Sequence, residues 1–435
     1  MRQKLVFEGA DRLTYEIREI VQVANHLQSL GREITWENIG DPIHKGEQIP
    51  DWIKSIITEL TTHNNVYGYV PTDGVLSTRE FLVDQINQRG GCQITPEDLL
   101  FFNGLGDAVA TIFGYLNKSA RILCPSPAYP THATMEAAHA QADNVTYRLD
   151  PNNNWMPDLD EIEATVKADP SIAGILIINP DNPTGTVYPR SAIERIVEIA
   201  RTHDLFVIAD EIYCNIVYNP EARTFLSEVI GDVPGIALQG ISKEYPWPGS
   251  RCGWMEIFNK DNDPNFKAFI DSIRMVKMLE VCATSIPQHS IPLVMGDPRY
   301  PAHLDMRRNL FAARAQEAWE MLSSAPGVIV PKPQGAFYMA VIFENGLLND
   351  TQSLAIEDDA IRRFVEEKVQ GVAPDKRFTY YLLGAEGICV VPITGFCSDN
   401  NGFRITLLES DDEKRRDTWQ RLVSAIERYT ASGSR

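Results

Sequence analysis

The chain has 435 residues, with 40 Lys and Arg against 59 Asp and Glu and a formal net charge of −19. A hydrophobic fraction of 44% and a charged fraction of 23% are ordinary for a globular enzyme, and the length exceeds what one compact core usually holds. The acidic balance argues against a nucleic-acid partner, which needs a basic face. Seven Cys (92, 124, 214, 252, 282, 389 and 397) show no CxxC spacing, so neither a disulfide framework nor a metal site is indicated. No stretch approaches the roughly 20 apolar residues of a membrane span, and the start carries no signal-peptide run. No membrane association and a cytoplasmic location are therefore expected.

Residues 15–30 place Ile17, Ile20, Val21, Ala24 and Leu27 at three- and four-residue spacing, which predicts an amphipathic helix. It leads into Ile34-Thr-Trp-Glu-Asn-Ile-Gly40-Asp-Pro42, a short strand closed by a Gly/Pro turn. From about residue 65 to 295, apolar strands at 122–124, 145–149, 174–178, 205–209, 235–238 and 254–258 alternate with helical segments such as 191–202. That alternation predicts an α/β fold with a mostly parallel sheet covered by helices. After about residue 298 a long helix at 307–323 is followed by strands at 328–330, 337–342, 388–391 and 403–407. A closing helix follows, with Ser410 read as its N-cap and acids in its first turn. The expected division is a large domain at 61–297 and a smaller α+β domain at 298–435, joined by the N-terminal segment 1–60.

Chemistry concentrates in a few short segments. Gly240-Ile-Ser-Lys243-Glu-Tyr-Pro-Trp-Pro-Gly-Ser-Arg251 holds one Lys in a small-residue turn with a cation eight residues later. A phosphorylated aldehyde needs such a pair, an amine for a Schiff base and a cation for the phosphate. Taken alone, the segment also reads as a solvated basic loop. Upstream, Asn179-Pro-Asp-Asn182-Pro-Thr-Gly follows the run 174–178, and 205–209 runs directly into Asp210-Glu-Ile-Tyr213. Both polar sets sit at the carboxyl ends of buried strands, the edge where open α/β sheets bind ligands.

The order Asn182, Asp210 and Tyr213, Lys243, Arg251 resembles the class I/II aminotransferases, pyridoxal phosphate enzymes of fold type I. The resemblance runs from about Asn38 to Arg404 and looks most like the alanine-aminotransferase type. It implies that Lys243 is the Schiff-base lysine, that Asp210 pairs with the pyridine nitrogen, and that Tyr213 and Asn182 donate to the ring oxygen. Tyr129 would stack on the ring. The phosphate would be held by Arg251, by Ser242, and by the backbone N–H groups of Leu105, Gly106 and Asp107 at a helix N-terminus. Gly106 and Gly240 depart from the family, which commonly carries a hydroxyl residue at both positions. Arg404 and Gly40 would hold the substrate α-carboxylate, with Asn182 beside them. Tyr69, and less firmly Thr284 and Ser285, would serve the neighbouring subunit's site in a homodimer.

The activity expected is amino-group transfer between an amino acid and a 2-oxo acid by a ping-pong mechanism. Alanine/pyruvate with glutamate/2-oxoglutarate, or another broad-range pair, stands ahead of aspartate, because dicarboxylate-specific relatives place an Arg near the position of Val281. Whether Arg18 or Tyr15 reaches the site stays open. Two other readings also stand: a lyase or synthase on the same fold, and a non-catalytic sensor module that binds the same cofactor.

Overall fold

The computed structural model describes residues 5–13 and 16–433. In chain order its strands are β1 (Thr35–Trp36), β2 (Leu99–Phe102), β3 (Arg121–Ser126), β4 (Thr146–Asp150), β5 (Met156–Pro157), β6 (Ile172–Ile178) and β7 (Phe206–Asp210). They continue as β8 (Gly235–Gly240), β9 (Gly253–Phe258), β10 (Val328–Ile329), β11 (Tyr338–Phe343), β12 (Ile388–Cys389), β13 (Val391–Pro392) and β14 (Gly402–Thr406).

The large sheet has the order β2-β9-β8-β7-β6-β3-β4-β5. Its centre, from β4 through β3, β6 and β7 to β8, is parallel; β9 and β5 run antiparallel to it, and β2, antiparallel to β9, runs with the centre. A parallel strand must be apolar on both faces, because crossover helices cover both. Strand β7 shows this: Val207 and Ala209 pack with Ile193, Ile196 and Ile199 of the helix Arg190–Thr202. Phe206 and Ile208 pack on the opposite side with Ile112 and Phe113 of the helix Leu105–Tyr115 and Ile270 and Ile273 of the helix Pro264–Glu280. The chain runs from β3 outward to β4 and then returns to β6 on the other side of β3, so the carboxyl ends of β3, β6, β7 and β8 open on a crevice at this reversal.

A four-stranded antiparallel sheet, β10-β11-β14-β13, follows in the C-terminal part. Its apolar residues share a core with Ile20, Ala24 and Leu27 of the helix Glu16–Ser29 and with Phe311, Trp419 and Ile426. Strand β1 pairs in parallel with β12. The helix Asp51–Leu60, by contrast, packs against the helix Ser285–Met295, and its Ile53 lies in the core beside the large sheet.

The elements differ from the sequence expectation in identifiable places. Leu99-Leu-Phe-Phe102, not anticipated as a strand, forms the antiparallel edge β2 against β9. The expected strand at 388–391 is split, β12 pairing with β1 and β13 with β14. The closing helix is capped by Asp411, which accepts from the N–H groups of Glu413 and Lys414 at 3.0 Å, whereas the Ser410 hydroxyl donates to the Lys45 carbonyl. The long helix starts earlier than expected, at Tyr300, with Pro301 tolerated in its first turn.

One buried charge cluster ties the two ends of the chain together. Lys45 Nζ lies 3.0 Å from Glu37 Oε1 and 3.4 Å from Glu409 Oε2, and it donates to the Trp36 carbonyl at 2.8 Å. Glu37 is fully buried, and burial pushes its carboxyl pKa up against the opposing pull of Lys45. Removing one partner of a buried pair strands the other. Lys45→Met is therefore expected to lower unfolding free energy by about 3–5 kcal/mol in a denaturant titration; a loss under about 1 kcal/mol, the level of an exposed pair, would mean Glu37 is not held by this contact.

Candidate active site

The crevice is a cavity of about 750 Å³. Lys243 enters it from the turn after β8, and its Nζ donates to the Gly40 carbonyl at 2.8 Å. The main chain of that turn is braced from behind. Arg307 forms a two-point pair with Glu47, at 2.6 and 3.0 Å, and also donates to the Lys243 and Glu244 carbonyls. The Lys243 amine has its pKa lowered to about 8, mainly by burial and further by the charges of Arg404, Arg251 and Arg307, with Asp41 opposing.

At the end of β7, Asp210 Oδ2 sits 2.8 Å from His132 Nε2. Both side chains are buried, and the Tyr129 ring meets the imidazole edge-on at 6.4 Å. The Tyr213 hydroxyl is 2.9 Å from that of Tyr338. Burial raises the pKa of both phenols, that of Tyr338 to about 12, so both are neutral hydrogen-bonding groups at neutral pH. Arg404, on β14 between Ala340 and Val391, donates to Asn182 Oδ1 at 3.2 Å and to the Asn38 carbonyl, with its guanidinium 4.6 Å from the Tyr338 ring centre. Gly40 is required here, since a Cβ would overlap the Tyr338 hydroxyl.

At the other end, Gly104 has φ +86° and precedes the helix Leu105–Tyr115. A side chain at Gly104 would collide with the Arg251 guanidinium, which donates to the Pro248 carbonyl at 3.1 Å and reaches toward the Asn103 carbonyl at 3.5 Å. The glycine thus makes room for the cation beside a helix N-terminus, a combination suited to a phosphate. The two glycines that depart from the family do so for different reasons. A Cβ on Gly240 would stand 2.9 Å from the Cys252 carbonyl, so strand pairing with β9 leaves no space for a hydroxyl side chain. A Cβ on Gly106 would meet nothing within 4 Å, so that position is open.

Residues 35–422 match the family model described as aminotransferase class I and II. An uncharacterised aminotransferase of Methanocaldococcus jannaschii is 52% identical over 429 residues, covering 99% of each chain. The glutamate-pyruvate aminotransferase AlaA of Escherichia coli is 33% identical, covering 76% of this chain and 80% of that protein. Among solved structures, an alanine aminotransferase from Pyrococcus furiosus superposes with a TM-score of 0.83 at 25% identity, covering 97% of this chain and 99% of that one. The chain belongs to the class I and II aminotransferases.

Within this aminotransferase cavity the structure gathers most of the residues singled out from sequence: Gly40, Leu105, Gly106, Tyr129, Asn182, Asp210, Tyr213, Ser242, Lys243, Arg251 and Arg404 all line it. Arg18 lines it too, with Ile17, Val21 and Asn25 of the same helix. Tyr15 lies outside the described residues. Asp107 is not among the lining residues: its N–H donates to the Gly104 carbonyl at 3.1 Å, and its carboxylate accepts from Asn103 N–H and Lys277. Tyr69 is 88% exposed and away from the cavity of its own chain. Thr284 donates to the Arg251 carbonyl at 3.2 Å, and Ser285 donates to the Val66 carbonyl at 2.6 Å.

Sequence reading missed His132, Tyr338 and Asn38. A signal existed for His132, which follows Tyr129 by three residues and is the one titratable residue in the first turn of the helix Pro130–Ala140. Tyr338 and Asn38 reach the cavity through the pairing of distant segments, which local pattern does not reveal. The shifted amine gives a direct check. Labelling of Lys243 by an amine-reactive reagent, followed by mass spectrometry across pH, is expected to rise with a midpoint near 8. A midpoint in the ordinary lysine range, about 10.4, would show that the amine is solvated.

Proposed function

We propose that the protein is a pyridoxal phosphate-dependent aminotransferase of alanine-type specificity, exchanging alanine and pyruvate with glutamate and 2-oxoglutarate by a ping-pong mechanism. The observation that carries this reading is the convergence on one cavity of an amine with a lowered pKa, a His-backed carboxylate, two neutral phenols and guanidinium groups toward both ends. The donor set fits the cofactor. Arg251, Ser242 and the N–H groups of Leu105 and Gly106 would hold its phosphate, Asp210 its ring nitrogen, Tyr213 and Asn182 its ring oxygen, and Tyr129 its face. When bound, it supplies an aldehyde carbon that exchanges amine partners and a conjugated ring that takes up the electron pair left at the substrate α-carbon.

The chain's own residues do the rest. His132, 2.8 Å from Asp210, holds the carboxylate in an orientation that would let it pair with the ring nitrogen. Lys243, close to half-protonated near pH 8, is able both to accept and to return a proton at the substrate α-carbon. Arg404 presents a planar fork matched to a carboxylate, braced by Asn38 and Asn182. A single carboxylate reader would serve amino and 2-oxo acids alike, so the two substrates would occupy it in turn, as a ping-pong mechanism requires. Arg404→Lys is expected to lower kcat/KM for both acids by roughly 30- to 1000-fold, because an ammonium cannot reproduce the fork. Unchanged kinetics would remove Arg404 from the carboxylate role.

The names of the relatives, alanine aminotransferase and glutamate-pyruvate aminotransferase, support the substrate pair. The cavity wall is consistent with it: Ile17, Val21 and Trp36 offer apolar contact to a small side chain, and Arg18 offers a charge to a distal carboxylate. Arg18→Ala is expected to reduce kcat/KM for glutamate and 2-oxoglutarate about tenfold or more while leaving alanine and pyruvate within a few-fold. An equal loss for all four would assign Arg18 to structure.

A homodimer completes the proposal. Tyr69 at 88%, Leu279 at 85%, Tyr67 and Met275 at 61% and Met278 at 59% exposure are large apolar or aromatic side chains left on the surface. Thr72 donates to the Val281 carbonyl at 2.9 Å, holding the two segments that carry them together. Burial of such a patch in a second copy would bring Tyr69 to the neighbour's phosphate end. Dilution through the dimer dissociation range is then expected to release cofactor together with activity; a fully active monomer in sedimentation would overturn the shared site.

A further inference from the structure

We infer that Lys277 is a positioning residue for the phosphate end of the cavity: its buried ammonium, shared between Asp107 and Glu280, offsets part of the Asp107 charge and so favours a phosphate at the N-terminus of the helix Leu105–Tyr115. The inference rests on the proposed reading of Leu105, Gly106 and Arg251 as that phosphate end.

Asp107 is the third residue of the helix, and its Oδ2 accepts from Asn103 N–H at 3.0 Å. It thereby ties down the turn that faces Arg251 through the Asn103 carbonyl. The same carboxylate is a charge problem. A helix N-terminus attracts one anion through its free N–H groups and dipole, and a carboxylate in the first turn both competes for that field and repels a second anion. Lys277, on the helix Pro264–Glu280, supplies the compensation. Its side chain is 1% exposed, its Nζ is 3.2 Å from Asp107 Oδ2, and it also pairs with Glu280. Its ammonium stands 4.7 Å from the Phe102 ring centre. A fully buried lysine is costly unless paired, and here the pairing falls beside the proposed phosphate end.

The network continues toward Arg251. Asn103 Nδ2 donates to Glu280, Asn103 Oδ1 accepts from Thr284 N–H at 3.0 Å, and Thr284 Oγ1 donates to the Arg251 carbonyl at 3.2 Å. A mere fastening of two helices would set stability alone. Compensation of Asp107 would set the advantage that a phosphorylated ligand has over the same ligand without phosphate.

The test is equilibrium titration of cofactor-free protein with pyridoxal phosphate and with pyridoxal, for the parent chain, Lys277→Met, Asp107→Asn and the double variant, with thermal midpoints measured in parallel. Lys277→Met is expected to reduce the ratio of the two affinities about tenfold or more and to leave pyridoxal binding unchanged. Asp107→Asn alone should raise the ratio, and the double variant should recover most of what Lys277→Met loses. A parent-like ratio in Lys277→Met, or a double variant as poor as Lys277→Met, overturns the inference. If Lys277→Met fails to fold, Asp107→Asn decides, and an unchanged ratio there overturns it as well. A parent chain that shows no preference for the phosphorylated ligand refutes the reading of the phosphate end itself, and that result is visible before any variant is made.

Discussion

Positive charge gathered in one crevice of an acidic protein is the constraint on which the site depends. Lys243, Arg251, Arg404 and, from behind, Arg307 converge at the carboxyl ends of β7 and β8 although the chain carries a net charge of −19. Burial first, and then the neighbouring cations, lower the proton affinity of the amine, and Lys243, the strongest acid among these groups, responds by a lowered pKa while the guanidinium groups stay charged. The acceptors that Arg404 meets on Asn38 and Asn182 are neutral, and Arg251 likewise faces the carbonyls of Pro248 and Asn103. At Arg251 such contacts orient the guanidinium without cancelling its charge. The cavity is therefore electrostatically prepared for anions, and a carboxylate at one end and a phosphate at the other are the two anions an aminotransferase has to bind.

The scaffolding follows from that arrangement. Holding Lys243 takes three distant pieces of chain: the turn after β8 presents it, Gly40 of the N-terminal segment receives its amine, and Arg307 of the helix Tyr300–Leu322 clasps its carbonyl while pairing with Glu47. The buried Lys45 cluster then fastens the same N-terminal segment to Glu409 ahead of the last helix. Buried ion pairs contribute little net stability compared with apolar packing, but they fix geometry, since each ion tolerates few alternative positions. Spending them on one segment, residues 36–47, is consistent with a need for positional precision where the substrate carboxylate would lie.

Much of this was legible in the sequence because strand ends and functional residues are adjacent there. Asp210 terminates a continuous apolar run and Asn182 follows another, so buried parallel strands and their polar exits could be read together. Six of the eight large-sheet strands, β3, β4 and β6 to β9, were legible for the same reason. What stayed hidden depended on contacts between distant segments or on competition at a single position. Leu99–Phe102 is too short to declare itself a strand until β9 pairs with it, and 388–391 divides because two partners claim its halves. At the last helix, Ser410 and Asp411 are both good caps, and the carboxylate won by accepting two N–H groups while the Ser410 hydroxyl turned to Lys45.

Asp107 brings a negative charge to the proposed phosphate end. It stands in the first turn of the helix Leu105–Tyr115, where its N–H donates to the Gly104 carbonyl and its carboxylate accepts from Asn103 N–H. With Gly106 supplying no hydroxyl and Gly240 unable to accommodate one, the proposed phosphate end has fewer side-chain donors than the family pattern provides, and Asp107 stands beside it. Retention of an anion there would depend on cations placed nearby. Arg251 from the front and Lys277 from behind are the cations so placed, and Gly104 is the residue whose missing side chain lets the first of them stand beside the helix.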